Sequence, residues 1–170
     1  TAIARYDAAL RPPLEHEESS PEHKSLLKMH ELARTWADGD DRLKLWDGVE
    51  ALKRYNMALQ YAQDVKRIRP TEGYVGEQIQ LHPAAEKELQ KCIARAKAEI
   101  QRKKTFKEQI LDAETHLIER RAGRAQSAFK AALETSTQEQ ARHGWSANPE
   151  EVRDCEDGIV RANDELARQK

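Results

Sequence analysis

Residues Ala84 to His143 read AAEKELQKCI ARAKAEIQRK KTFKEQILDA ETHLIERRAG RAQSAFKAAL ETSTQEQARH, a run without proline and with one glycine, Gly123. Ala, Glu, Lys, Arg and Gln dominate. These side chains lose least on entering a helix, so the stretch reads as helix almost throughout. Unbroken, it would extend ~90 Å at the α-helical rise. A compact globule of 170 residues is only ~40 Å across by radius-of-gyration scaling. The helix must therefore break or project beyond the body, and a projecting helix needs a surface to lie against. That points to a component of a larger assembly.

The remaining composition suits helix packing. Charged residues make up 35% and aromatics 5%, with a mean hydropathy of −0.91. Much of the apolar fraction is alanine, which favours helices with wide solvated faces over a sheet sandwich. Apolar stripes of helical period argue against disorder except at the ends. A net charge of −1 gives no overall bias toward nucleic acid or an anionic membrane. Cys92 and Cys155 lie far apart with no CxxC pair, so no disulfide framework or zinc ribbon is indicated, and a reducing compartment is the simpler reading. No apolar run approaches the ~18 residues of a spanning helix. The chain begins at Thr1, as expected of a processed product or a fragment, from which any targeting peptide would already be gone.

Outward from the long stretch, residues 1–19 are expected to hold a short helix over Ala2 to Leu10, ended by Arg11-Pro12-Pro13, and then an acidic loop. Ser20-Pro21-Glu22 starts a helix: Ser caps, Pro stands where its missing N–H is harmless, and Glu meets the positive helix end. Its apolar face is Leu26, Leu27, Leu32, Ala33, Trp36 and Ala37. Asp38-Gly39-Asp40-Asp41 is expected to stop it and cap the next.

The following helix is predicted from Arg42 to Arg67, on Leu45, Val49, Leu52, Ala58, Leu59, Ala62 and Val65, widened by Trp46 and Tyr55. Trp36 and Trp46 would pin the two helices together. Arg69-Pro70 ends the element, and Thr71 to His82 reads as loop. Pro83 opens the long helix. Its seam of Leu89, Ile93, Ala96 and Ile100 is interrupted by Lys103 and Lys107, then resumes through Phe106, Ile110, Ala113, Leu117 and Ile118. Ala122, Ala125, Phe129 and Leu133 follow. Thr105-Phe106-Lys107-Glu108 fits a capping box, which puts the candidate break at Lys103 to Thr105. Gly144 ends the long stretch. Asn148-Pro149-Glu150 starts a last helix carrying Val152, Cys155, Ile159 and Leu166.

No residue constellation announces a reaction. Di-iron bundles need Glu-x-x-His pairs, and none of the histidines has Glu three residues before it. Asp112 with His116 and Glu139 with His143 are four apart, the spacing of ordinary neighbours on a helix surface. Gly73-x-x-Gly76 is flanked by Glu72 and Glu77, which would repel a phosphate backbone. No GxGxxG, GxxxxGK[ST] or GxSxG is present. Cys92 and Cys155 fall on apolar stripes and read as buried small side chains rather than nucleophiles. Lys87, Lys91, Arg95, Lys97, Arg102, Lys103, Lys104 and Lys107 make a basic stretch broken by Glu88 and Glu99. Phe106 is its only aromatic neighbour, which gives little for nucleic-acid stacking. It reads as a solvated face or as a dock for an acidic protein.

Ser20-Pro21 with Leu27, Leu32 and Trp36 is followed by Val49-Glu50-Ala51-Leu52 with Ala58, then Asp64-Val65-Lys66, then Glu77-Gln78-Ile79 and Ala85-Glu86-Lys87-Glu88-Leu89. In these segments, from Ser20 to about Leu89, the chain resembles the mitochondrial complex I accessory family called alpha-subcomplex subunit 5, the first matching the family's opening helix and the others its later segments. Asp38-Gly39-Asp40-Asp41 replaces the proline usual in the first turn, and Leu45-Trp46 the usual Tyr-Arg. The family's short Trp/Pro tail gives way here to further helical sequence. The resemblance implies a small helical-bundle subunit on the matrix arm of the respiratory NADH:ubiquinone oxidoreductase, with the redox cofactors held by other subunits. Peripheral-stalk subunits of ATP synthase show a looser likeness.

The expectation is an all-α, elongated helical bundle with a long projecting helix: residues 20–100 form the bundle and 101–170 a helical extension. Its function would be that of a non-catalytic accessory subunit, without cofactor, metal or small-molecule substrate, bound to other protein subunits on the matrix side of the inner mitochondrial membrane. A coiled-coil adaptor, dimerising through the Leu89 to Ile100 seam and soluble inside the cell, is the alternative. The Ala-rich stripe beyond Ile110 is too narrow to hold a long helix in water, so it must bury against another chain or the final helix. Leu117, Ile118, Phe129 and Leu133 are its candidate contacts. Arg120, Arg121 and Arg124 would reach acidic groups at the rim, and Trp145 is a candidate anchor.

Overall fold

The computed structural model describes residues 21–67, 84–141 and 146–169. Among these residues the chain is all-α, with five helices and no strand: α1 (Pro21–Lys44), α2 (Gly48–Arg67), α3 (Ala84–Ile118), α4 (Ala122–Ala141) and α5 (Pro149–Arg168). No described helix is long and apolar enough to cross a membrane. The helix read over Ala2 to Leu10, the loop from Thr71 to His82, and Gly144 lie outside the described residues. The chain divides into two compact units, Thr1–Lys97 and Ala98–Lys170, and α3 contributes to both.

In the first unit α1 and α2 form an antiparallel pair, tied by Lys28 to Asp64 at 3.7 Å and by Arg54 to Asp38 at 2.9 Å. The buried residues of α2 are Gly48, Ala51, Tyr55, Ala58, Ala62 and Val65. Small side chains at this three- and four-residue spacing let helices approach closely, and Tyr55 fills the space that the alanines leave. Met29, Leu32 and Leu43 of α1 and Leu89, Cys92 and Ala96 of α3 complete the core. Lys66 pairs with Glu86 at the start of α3 at 2.7 Å. The buried face lies to one side of the stripe expected from sequence. Ala58, Ala62, Val65 and Tyr55 point inward, whereas Leu45 and Val49 are 65% and 67% exposed.

Gly39 does not end α1. The helix continues through Asp38-Gly39-Asp40-Asp41 to Lys44. The glycine is there for closeness, because a Cβ at this position would stand 2.6 Å from Tyr55 Cε1. The acidic residues around it find partners: Tyr55 donates its hydroxyl to Asp40 at 2.7 Å, and Lys44 reaches Asp41 at 2.8 Å.

The true stops are two matching turns. Trp46 N–H donates to the Leu43 carbonyl and Asp47 N–H to that of Arg42, with Trp46 at φ 55°. Arg120 N–H donates to Leu117 and Arg121 N–H to His116, with Arg120 at φ 58°. This is the Schellman pattern, with a left-handed residue just past the helix. Asp47 then caps α2, its carboxylate accepting from Glu50 N–H at 3.1 Å. The helix expected to start at Arg42 therefore starts at Gly48. The long helix breaks at Glu119 to Arg121 and not at Lys103 to Thr105, where α3 runs through uninterrupted.

The second unit holds the remainder of α3, with α4 and α5. Ala113, Ala125, Phe129 and Ala162 form one core cluster, with Ile110, Leu117 and Ile159 packed on it. Phe106, Ala132 and Cys155 form a second, with Ile110 and Leu133 against it. Along α3 and α5 the contacts advance together, from Arg102 with Glu151 to Glu114 with Arg161 to the Arg120 carbonyl with Gln169, so the two helices run parallel. Asn148 caps α5 as its sequence indicates, its side chain accepting from Glu150 N–H. Gly158 lets the Phe129 ring lie on the α5 backbone, where a Cβ would overlap the ring.

Candidate functional site

Three charged side chains are buried among the described residues, Glu99, Arg102 and Glu151, and all three meet. Arg102 donates from Nε and Nη2 to the two oxygens of Glu99, each at 2.8 Å. It donates from Nη1 and Nη2 to Glu151 at 2.6 and 3.0 Å. Ser136 of α4 adds its hydroxyl to Glu151 at 2.9 Å. One turn of α3 thus places Glu99 and Arg102 together, the first turn of α5 supplies Glu151, and α4 completes the set. The formal excess of one negative charge sits beside the positive end of α5. Burial alone would lower the Arg102 pKa, but the hydrogen bonds and charges of Glu99 and Glu151 outweigh it and hold it above the ordinary value. Both carboxylates are engaged through both oxygens. The arrangement is a clamp between helices.

Arg102 does not share the exposed face expected of the basic stretch. Lys87, Lys91, Arg95, Lys97, Lys104 and Lys107 are exposed and Lys103 half-buried, but Arg102 lies inside. The seam turns inward through Glu99, Arg102, Phe106 and Ala113 rather than through Lys103 and Lys107. The signal was the Glu-x-x-Arg spacing in line with Phe106.

His116 lies 3.6 Å from Asp112 and 3.8 Å from Glu119, and no described group of three or more His, Cys, Asp or Glu converges on a metal position. His143 and the Glu139 side chain lie outside the described residues. Both cysteines are buried and unpaired by disulfide. Burial pushes the Cys155 thiol up to about 11, with Asp154, Glu151 and Glu156 adding to it. Burial and then Asp40 raise that of Cys92, although a hydrogen bond with Trp36 works the other way. Such thiols are poor nucleophiles at neutral pH.

The proposed interface residues separate. Phe129 is fully buried, and Leu117 and Leu133, partly buried, pack on the internal clusters, so all three contribute to the unit's own core. The Ala-rich stripe of α4 is covered by its neighbours, which removes it as a reason to invoke another chain. Ile118, one helical step of 100° from Leu117, points away and is 83% exposed. Arg120, Arg121 and Arg124 are also exposed, around the turn between α3 and α4. Trp145 lies outside the described residues. Two surface features were not read from the sequence. Leu111 is 70% exposed on α3, and Val49, Leu52 and Met57 line a shallow groove along α2. Comparison of the chain with protein-family models, curated proteins and solved structures finds no match in any of the three.

Proposed function

We propose that this chain is a non-catalytic helical subunit that joins other proteins in an assembly. The observation that carries the reading is that both units close a core and still present large aliphatic side chains outside it. Leu45, Val49 and Met57 stand out on the first, and Leu111, Ile118 and Val160 on the second. Apolar surface of this kind, on helices whose buried faces are already satisfied, is what subunit contacts use.

The resemblance names the assembly as the matrix arm of respiratory complex I, on the matrix side of the inner mitochondrial membrane. In its support, the matched segments supply Leu32, Ala51, Val65 and Leu89, all buried in the first unit's core. The seam on which a coiled-coil adaptor would dimerise is largely occupied, since Leu89 and Ala96 are buried. The test is to tag the chain in its own cells, extract with mild detergent and separate on native gels. The chain is expected to co-migrate with NADH:ubiquinone oxidoreductase activity. Migration only as a free chain or homodimer would overturn the assembly reading. Co-migration with a different complex would overturn the complex I assignment alone.

A further inference from the structure

We propose that the outer face of α3 in the second unit docks an acidic amphipathic helix of another subunit. The inference rests on the reading of the chain as an assembly subunit and names the surface and the chemistry of its partner. Leu111 and Ile118 stand two turns apart on α3, ~20° out of line. Their side of the helix is opposite the one that buries Phe106 and Ala113, so α4 and α5 leave them uncovered. Cations bracket the pair: Lys104 and Lys107 precede Leu111, while Arg120, Arg121 and Arg124 follow Ile118, and all five are exposed.

Some of this charge is answered locally, by Glu108 at 3.9 Å from Lys104 and Glu119 at 3.0 Å from Arg121. Lys107, Arg120 and Arg124 have no salt-bridge partner among the described residues. A partner that buries Leu111 and Ile118 must bring carboxylates to both ends of the contact, or it leaves these cations facing apolar surface. A helix with apolar residues seven apart and acidic residues flanking them meets that requirement. A second copy of this face would bring the same cations opposite themselves, and like charges oppose it.

The experiment uses the assembled complex isolated from cells. A carbodiimide, which joins lysine to carboxylate without a spacer, is expected to link Lys104 or Lys107 to Asp or Glu in a helical segment of another chain. In parallel, Leu111→Lys with Ile118→Lys, and separately Arg120→Glu with Arg124→Glu, should each lower the amount of chain in the complex at least tenfold. Asp164→Lys, at an exposed position on α5, should leave it unchanged. The isolated variants should keep wild-type circular dichroism and melting, because every altered side chain is exposed. Wild-type levels of both double variants in the complex, or lysine cross-links reaching only a second copy of this chain, would overturn the proposal while the subunit reading stands. A wild-type chain that joins no complex overturns both.

Discussion

Arg102 shows how one side chain can be worth more through what it neutralises than through its own contacts. Removing it by Arg102→Met would strand Glu99 and Glu151 as buried carboxylates without a counter-charge. Such losses typically run to about 3–5 kcal/mol. Chemical denaturation of the isolated chain is expected to show a loss of that size in the second unit. Replacing Glu99 and Glu151 by leucine in the same variant should recover most of it, since a buried ion cluster exchanged whole for apolar groups is often neutral. A single Arg102→Met variant as stable as wild type would show that the clamp is hydrated in solution.

Cys155 gives a second handle at this scale, through pH. Its thiol titrates at about 11 in the folded chain against an ordinary value of 9.0. The unfolded chain therefore loses this proton first as pH rises, and the folded state is disfavoured in proportion. The contribution is complete below pH 9 and lost progressively toward pH 11, by about 2–3 kcal/mol. Comparing wild type with Cys155→Ala isolates the effect from Tyr55 and Cys92, whose pKa values are also raised. The stability difference between the two should change by that amount between pH 9 and 11. A constant difference would place the sulfur in contact with water.

At the scale of elements, helix type and most buried spacings were legible, because the 3.6-residue period depends on few alternatives. The boundaries were not. Both hairpin turns put Trp46 and Arg120 in the left-handed position where glycine is the usual sign. The glycine that looked like a stop, Gly39, serves instead to admit the Tyr55 ring. Two other glycines separate these roles experimentally. Gly158→Ala would push a methyl into the Phe129 ring, which is fully buried. Overpacking there should exceed the gain in helix propensity and cost about 1–3 kcal/mol. Gly123→Ala meets nothing within 4 Å, and in the first turn of α4 should stabilise by about 0.4–1 kcal/mol. Equal melting temperatures for the two variants would mean that the Phe129 ring has room to move off the α5 backbone.

For the whole molecule, the composition foretold helices but not how their apolar faces would be shared. Alanine-rich α4 looked insufficient because only its own stripe could be counted from sequence. What makes it sufficient is three-dimensional: Ala122, Ala125, Phe129, Ala132 and Ser136 are all buried, between partners far away in the chain. The Glu99, Arg102 and Glu151 cluster was hidden for the same reason, since its third member lies on another helix.

The same packing sets the amide exchange of α4. A helix waiting for another subunit would exchange fast from Ala122 onward in the isolated chain. A helix packed between α3 and α5 opens only when those contacts are lost, so the amides from Ala125 to Ser136 should be slowed about a thousandfold or more. Their protection should match that of Phe106 to Ala113 on α3, because the same core clusters hold both. Hydrogen–deuterium exchange on the purified chain reads this directly. Fast exchange across Ala125 to Ser136 beside a protected α3 would show that α4 is held only in the assembly, and would return the α4 stripe to the list of partner surfaces.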